Sequence, residues 1–87
     1  MAESGSDVPA RITLYGREGC HLCDEARTVI AAVCAETGDT WVEVDIDEDP
    51  VLHDRMGEEI PVTFVDGRQH DFWRVDPARL RAALTRP

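Results

Sequence analysis

The chain has 87 residues and a formal net charge of −9, with 43% apolar and 31% charged residues, a size and make-up for one domain with a modest core. The excess of acid argues against a nucleic-acid binder, whose phosphates would be repelled, and no run approaches the roughly 20 apolar residues that a membrane span needs. Residues 1–10 have neither the basic nor the apolar region of a secretory signal and are expected to form a disordered tail ahead of a domain at 11–87. The lack of a signal points to the cytoplasm, where thiols are kept reduced.

Taken in order, Arg11 to Gly16 reads as a strand, with Ile12 and Leu14 on one face and Thr13 and Tyr15 on the other. Gly16 to Gly19 is a turn. From Cys20 to Thr37, the residues Cys23, Ala26, Ile30, Val33, Cys34 and Thr37 recur at three- and four-residue steps, the buried stripe of a helix that Gly38 ends. Thr40 to Ile46 is a second strand, with Val42, Val44 and Ile46 alternating against Glu43 and Asp45. Asp49-Pro50 starts a short helix to about Met56. Pro61 to Val65 is a third strand, and Asp66-Gly67 is a hairpin signal leading into a fourth, about Gln69 to Arg74. Asp76-Pro77 opens a last helix to Thr85, with Leu80, Ala83 and Leu84 facing the core. The order β-α-β-α-β-β-α predicts an α/β fold with a four-stranded mixed sheet flanked by helices. The first crossover is parallel and right-handed, and the last two strands are antiparallel.

Chemistry concentrates at Gly19-Cys20-His21-Leu22-Cys23, where the first strand gives way to the first helix. A Cys-x-x-Cys at such a junction reads as a redox pair. Unpaired amides and the macrodipole at a helix start stabilise a thiolate, which is the nucleophile of disulfide exchange. Cys20 is placed to attack, and Cys23, one turn on, to resolve the mixed disulfide. Cys34 lies 14 positions beyond Cys20 on the same predicted helix, about 21 Å away, and cannot join the pair. It reads as a small core residue.

Other readings are weaker. A structural zinc needs four ligands, and there is no second Cys-x-x-Cys or closely spaced His pair. The acidic run Asp45 to Asp49 fails as a calcium loop, because Pro50 stands where Gly is required and Met56 where the closing Glu belongs. No bound metal is expected. His21 beside Cys20 either pairs with the thiolate or is an exposed histidine of no consequence, while Asp24 and Glu25 oppose the thiolate by repulsion. Trp41 and Trp73 read as packing residues.

The stretch from Leu14 to Asp24 together with Ile60-Pro61-Val62 resembles the glutaredoxin-like proteins of the thioredoxin superfamily, a likeness covering about Arg11 to Leu84. It implies a thioredoxin-like fold and a thiol–disulfide oxidoreductase with Cys20 as nucleophile and Cys23 as resolving cysteine. It also implies a cis Pro61 beside the site and Ile60 offering its backbone to a bound peptide or glutathione. Arg17 matches the family's basic residue ahead of the cysteines, where it would meet a glutathione carboxylate, and His21 lies beside it as a further contact.

Two departures stand out. His21-Leu22 replaces the usual Pro-Tyr between the cysteines, and Asp71-Phe72 falls where the family's glutathione-binding Gly-Gly pair is expected. Phe72-Trp73-Arg74 looks like bulky packing instead. The substrates implied are disulfide-containing proteins or glutathione mixed disulfides. The oxidised pair would be regenerated by glutathione as co-substrate or by a thioredoxin-reductase-type partner, and the chain is expected to be a monomer. The alternative from another class is a non-catalytic binding module of the same fold, one form of which bridges an iron–sulfur cluster as a dimer.

Overall fold

The structure, a computed structural model, describes residues 10–85. Apart from Ala10, the predicted tail lies outside the described residues. The elements are β1 (Ile12–Gly16), α1 (His21–Thr37), β2 (Trp41–Asp45), α2 (Pro50–Met56), β3 (Val62–Val65), β4 (Arg68–Phe72) and α3 (Pro77–Thr85), with a 3-10 turn at Ile46–Glu48 between β2 and α2. The sheet order is β2-β1-β3-β4. β1 runs parallel to β2 and antiparallel to β3, and β3 is antiparallel to β4, so the sheet is mixed as expected.

The core lies on one face of this sheet. Ile12 and Leu14 of β1 and Val65 of β3 meet Ala26, Ile30, Val33 and Cys34 of α1 and Leu80 and Leu84 of α3. Alternation in β1 sends Thr13 and Tyr15 to the other face, where the Tyr15 ring meets Phe64 edge-on at 5.4 Å. α2 lies outside the core cluster and has no buried residue. It is held by its cap, in which Asp49 accepts the Val51 N–H at 3.0 Å.

Four local expectations are corrected. Thr37 is exposed, so the buried stripe of α1 ends at Cys34. In the edge strand β2, Trp41 packs on the core while Val42 is exposed, because the register that pairs Ile12 with Trp41 and Thr13 with Val42 puts the valines on the far face. Ile46 is fully buried, but it belongs to the 3-10 turn and not to the strand. The fourth strand begins at Arg68 and ends at Phe72, leaving Trp73 and Arg74 outside it. It carries an irregularity opposite Thr63 and Phe64: Thr63 pairs with Asp71 but Phe64 with Gln69, so His70 is the extra residue of a bulge. Asp66 and Gly67 both have positive φ, 53° and 82°, as a tight two-residue hairpin requires.

Candidate active site

Cys20 is the N-cap of α1, in an extended conformation, and its Sγ accepts the backbone N–H of Cys23 at 3.2 Å. The Cys20 carbonyl accepts the Asp24 N–H at 3.1 Å, closing the first helical turn. The side chain therefore stands where serine or aspartate usually caps a helix, with one helix-start amide, that of Cys23, donating to its sulfur. A sulfur anion at this point would have one amide donor already in place.

The two sulfurs differ in access. Cys20 is half-buried, whereas Cys23 is fully buried beneath it. The Cys23 thiol is pushed up to about 12, mainly by burial and then by its side-chain hydrogen bond with Cys20; a hydrogen bond from the Arg17 backbone and the charge of Arg27 oppose the rise. Burial also raises the Cys34 thiol, which lies in the core away from the pair. One sulfur is partly accessible, and the second is buried with its thiol proton held more tightly.

Gly16 makes this arrangement possible. Its Cα faces Cys23 so closely that a Cβ there would lie 3.0 Å from the Cys23 sulfur. Next to it, Arg27 binds Glu43 through two nitrogens and also reaches Asp24. Asp24, which sequence alone sets against the thiolate, thus shares Arg27 with Glu43.

The remaining expected site residues divide. His21 is 88% exposed and pairs with Glu25 at 3.4 Å, one helical turn along, instead of with the Cys20 sulfur. Arg17 is engaged by Asp47, with Nη2 2.9 Å from Oδ1 and Nε 3.3 Å from Oδ2, and lies 3.4 Å from His53 Nε2. The Ile60–Pro61 peptide bond is cis, Pro61 is buried, and its carbonyl accepts the Trp73 N–H at 2.7 Å. Among the described residues no three His, Cys, Asp or Glu side chains converge as a metal site.

Trp73 is the functional candidate that sequence reasoning missed. It is 51% exposed, and with Leu22, Ile60, Glu58 and Arg74 it lines a groove of about 420 Å³. With Glu58 it also borders a larger, polar basin of about 690 Å³ lined by Arg17, His53 and Arg55 among others. The bulge at His70 explains the miss, since counting along an unbroken strand does not bring position 73 beside Pro61. The one available signal was the Asp71-Phe72 departure just ahead of it.

Comparison with known proteins agrees with this geometry. Residues 11–85 match the model of the glutaredoxin-like domain family (DUF836). A Mycobacterium tuberculosis protein, the uncharacterized Rv0508, is 33% identical over 81 residues, covering 87% of this chain and 84% of its own length. The crystal structure of protein XcR50 from X. campestris superposes with a TM-score of 0.72 at 38% identity, over 87% of this chain and 99% of that one. Fasciola hepatica thioredoxin, 19% identical with a TM-score of 0.57 over 85% of this chain and 76% of its own, shares the fold. No described helix is long and apolar enough to cross a membrane. With a mixed sheet of thioredoxin type, two close cysteines at a helix start, and a family match across nearly all the described residues, the chain belongs to the glutaredoxin-like domain family.

Proposed function

We propose that the chain is a thiol–disulfide oxidoreductase that reduces protein disulfides or glutathione mixed disulfides. The observation that carries this reading is the half-buried Cys20 sulfur at the start of α1, accepting the Cys23 amide at 3.2 Å, with the Cys23 thiol buried behind it. The Cys20 thiolate attacks one sulfur of the substrate disulfide. That bond breaks, the departing sulfur takes a proton, and a mixed disulfide is left on Cys20. Cys23 then loses its proton and attacks the Cys20 sulfur, releasing the second substrate thiol and leaving a Cys20–Cys23 disulfide.

Two electrons have passed to the substrate, and two external thiols restore the pair. Glutathione or a thioredoxin-reductase-type partner supplies them, in the cytoplasm, with the chain acting as a monomer. Ile60, ahead of Pro61, offers its backbone to an extended substrate, and Arg17 and His21 flank the entrance. The test is reduction of a mixed disulfide with glutathione and its reductase, run in parallel with thioredoxin reductase. Activity is expected with one of the two systems and lost in Cys20→Ser. Equal rates for the unaltered chain and Cys20→Ser would overturn the proposal.

A further inference from the structure

We infer that Arg27 controls the second chemical step: its charge promotes loss of the Cys23 proton when Cys23 resolves the mixed disulfide. Glu43 tempers that charge and acts as a positioning residue. This rests on the redox reading of Cys20 and Cys23 and assigns the control of one step within it.

The second step has its own obstacle. Cys23 is fully buried and its thiol is pushed up to about 12, so at neutral pH little of it is the thiolate that attacks. A nearby positive charge raises that share. Cys23 and Arg27 stand four positions apart on α1, on one face of the helix, with about 5–6 Å expected between their Cβ atoms. Cys20 is seven positions from Arg27, about 10 Å along the axis, where salt screens most of the interaction. Arg27 therefore acts on the resolving sulfur more than on the attacking one.

Arg27 is held in position. Its Nε donates to Glu43 Oε1 at 2.8 Å and its Nη2 to Glu43 Oε2, a two-nitrogen clamp on one carboxylate, while Nη1 reaches Asp24. The clamp meets the buried thiol across Gly16. A Cβ there would lie 3.0 Å from Cys23 Sγ and 3.9 Å from Glu43 Oε2, and glycine leaves that point without a side chain.

The surrounding charges single out Arg27. With Glu43 it lines a polar cavity of about 360 Å³ where β1, α1 and β2 meet. Glu18 of the preceding turn, Asp45 of β2 and Glu48 of the 3-10 turn also line it and carry the opposite sign, as does Asp24 on α1. Arg17 lines it too, but its guanidinium is engaged by Asp47 and its effect on Cys23 comes through its backbone. In the reduced pair Cys20 opposes ionisation of Cys23. Once Cys20 is bonded to substrate, that opposing charge is gone and the pull of Arg27 remains. Cys23 then gives its proton to solvent in the cavity, and its thiolate bonds to Cys20 Sγ. The bond from Cys20 to substrate breaks, and the departing sulfur takes a proton from solvent.

The experiment mixes reduced protein with an equal amount of dithiodipyridine, an uncharged disulfide. It releases one coloured thione when Cys20 attacks and a second when Cys23 resolves, and both phases are followed from neutral to alkaline pH. Arg27→Gln is expected to slow the second phase about three- to fivefold relative to the first and to move its pH profile upward. Arg27→Lys, which keeps the charge, recovers most of the rate. Glu43→Gln leaves the Arg27 charge less compensated, so the second phase quickens and its profile moves downward. Opposite signs separate this control from a merely structural clamp, whose loss from either side would disturb the site in one direction. If Arg27→Gln fails to fold, the sign in Glu43→Gln decides. An unchanged ratio of the phases in Arg27→Gln, or a slower second phase in Glu43→Gln, would overturn the inference and leave the redox reading standing. Absence of the first phase from the unaltered chain, or its persistence in Cys20→Ser, would instead sink the redox reading, and the inference with it.

Discussion

A Cβ on Gly16 would stand 3.0 Å from the Cys23 sulfur, so the last residue of β1 sets how close Cys23 lies to the sheet. Gly16→Ala is expected to push the start of α1 outward and to destabilise the fold by about 1–3 kcal/mol, the usual range for overpacking. Closure of the Cys20–Cys23 disulfide should slow as well. Urea unfolding measures the first effect and the loss of two titratable thiols under mild oxidant the second. Unchanged values of both would show that the sulfur yields without cost.

Burial of Cys23 and Cys34 separates them from Cys20 in reactivity. In the native, reduced protein at neutral pH, iodoacetamide is expected to modify Cys20 first and alone, and all three cysteines once the chain is denatured. Peptide mass mapping distinguishes these cases, and early modification of Cys23 would contradict the access described.

The raised Cys23 thiol also has a consequence at alkaline pH. A thiol whose pKa is raised on folding binds its proton more tightly in the folded state. Its contribution to stability is complete below the ordinary value of 9.0 and is lost as pH climbs toward about 12. Stability should therefore fall across that window. The slope should be shallower in Cys23→Ala, measured by denaturant midpoints at successive pH values.

Arg11 ties four parts of the chain together. It binds Asp66 in the hairpin through two nitrogens at 2.9 and 2.8 Å, donates to the Leu84 carbonyl of α3 at 2.8 Å, and reaches Asp39 at 3.3 Å. Its guanidinium holds the Asp66 carboxyl below its usual range. With the folded value depressed, the contribution is present above the ordinary carboxylate value of 3.8 and is lost as pH falls through the lower one. Asp66→Asn is therefore expected to lower Tm at neutral pH, with a difference from the unaltered chain that narrows below about pH 4 and in high salt. A difference that persists unchanged at low pH would assign the loss to the turn and not to the ion pair.

Leu80 anchors α3 to the core and is fully buried. Leu80→Ala should cost about 2–5 kcal/mol, the range for leucine truncation in a packed interior. Hydrogen exchange should show α3 protection falling before that of β1 and β3. Uniform loss across all elements would mean that α3 does not open separately.

Much of the architecture was legible in the residues because local rules and the tertiary packing agreed. The caps at Asp49 and Asp76, the Asp66-Gly67 turn and the apolar stripe of α1 up to Cys34 all formed as the pattern predicts. Legibility failed in β2, where alternation is symmetric between faces. Val42 and Val44 looked like the inward set, but the pairing with β1 turned Trp41 inward instead. It failed again at β4, where the bulge at His70 put Trp73 beside Pro61 and into the open.

By itself the sequence determined the element order, the place of Cys20 at a helix start and the spacing that puts Cys23 one turn on, because these depend on contacts only a few residues apart. The tertiary structure decided which sulfur is reachable, that Arg17 pairs with Asp47 and Arg27 with Glu43, and that Leu22, Ile60 and Trp73 form one groove. Those relations join residues up to about fifty positions apart. They follow from sheet register and packing between elements, which local periodicity does not encode.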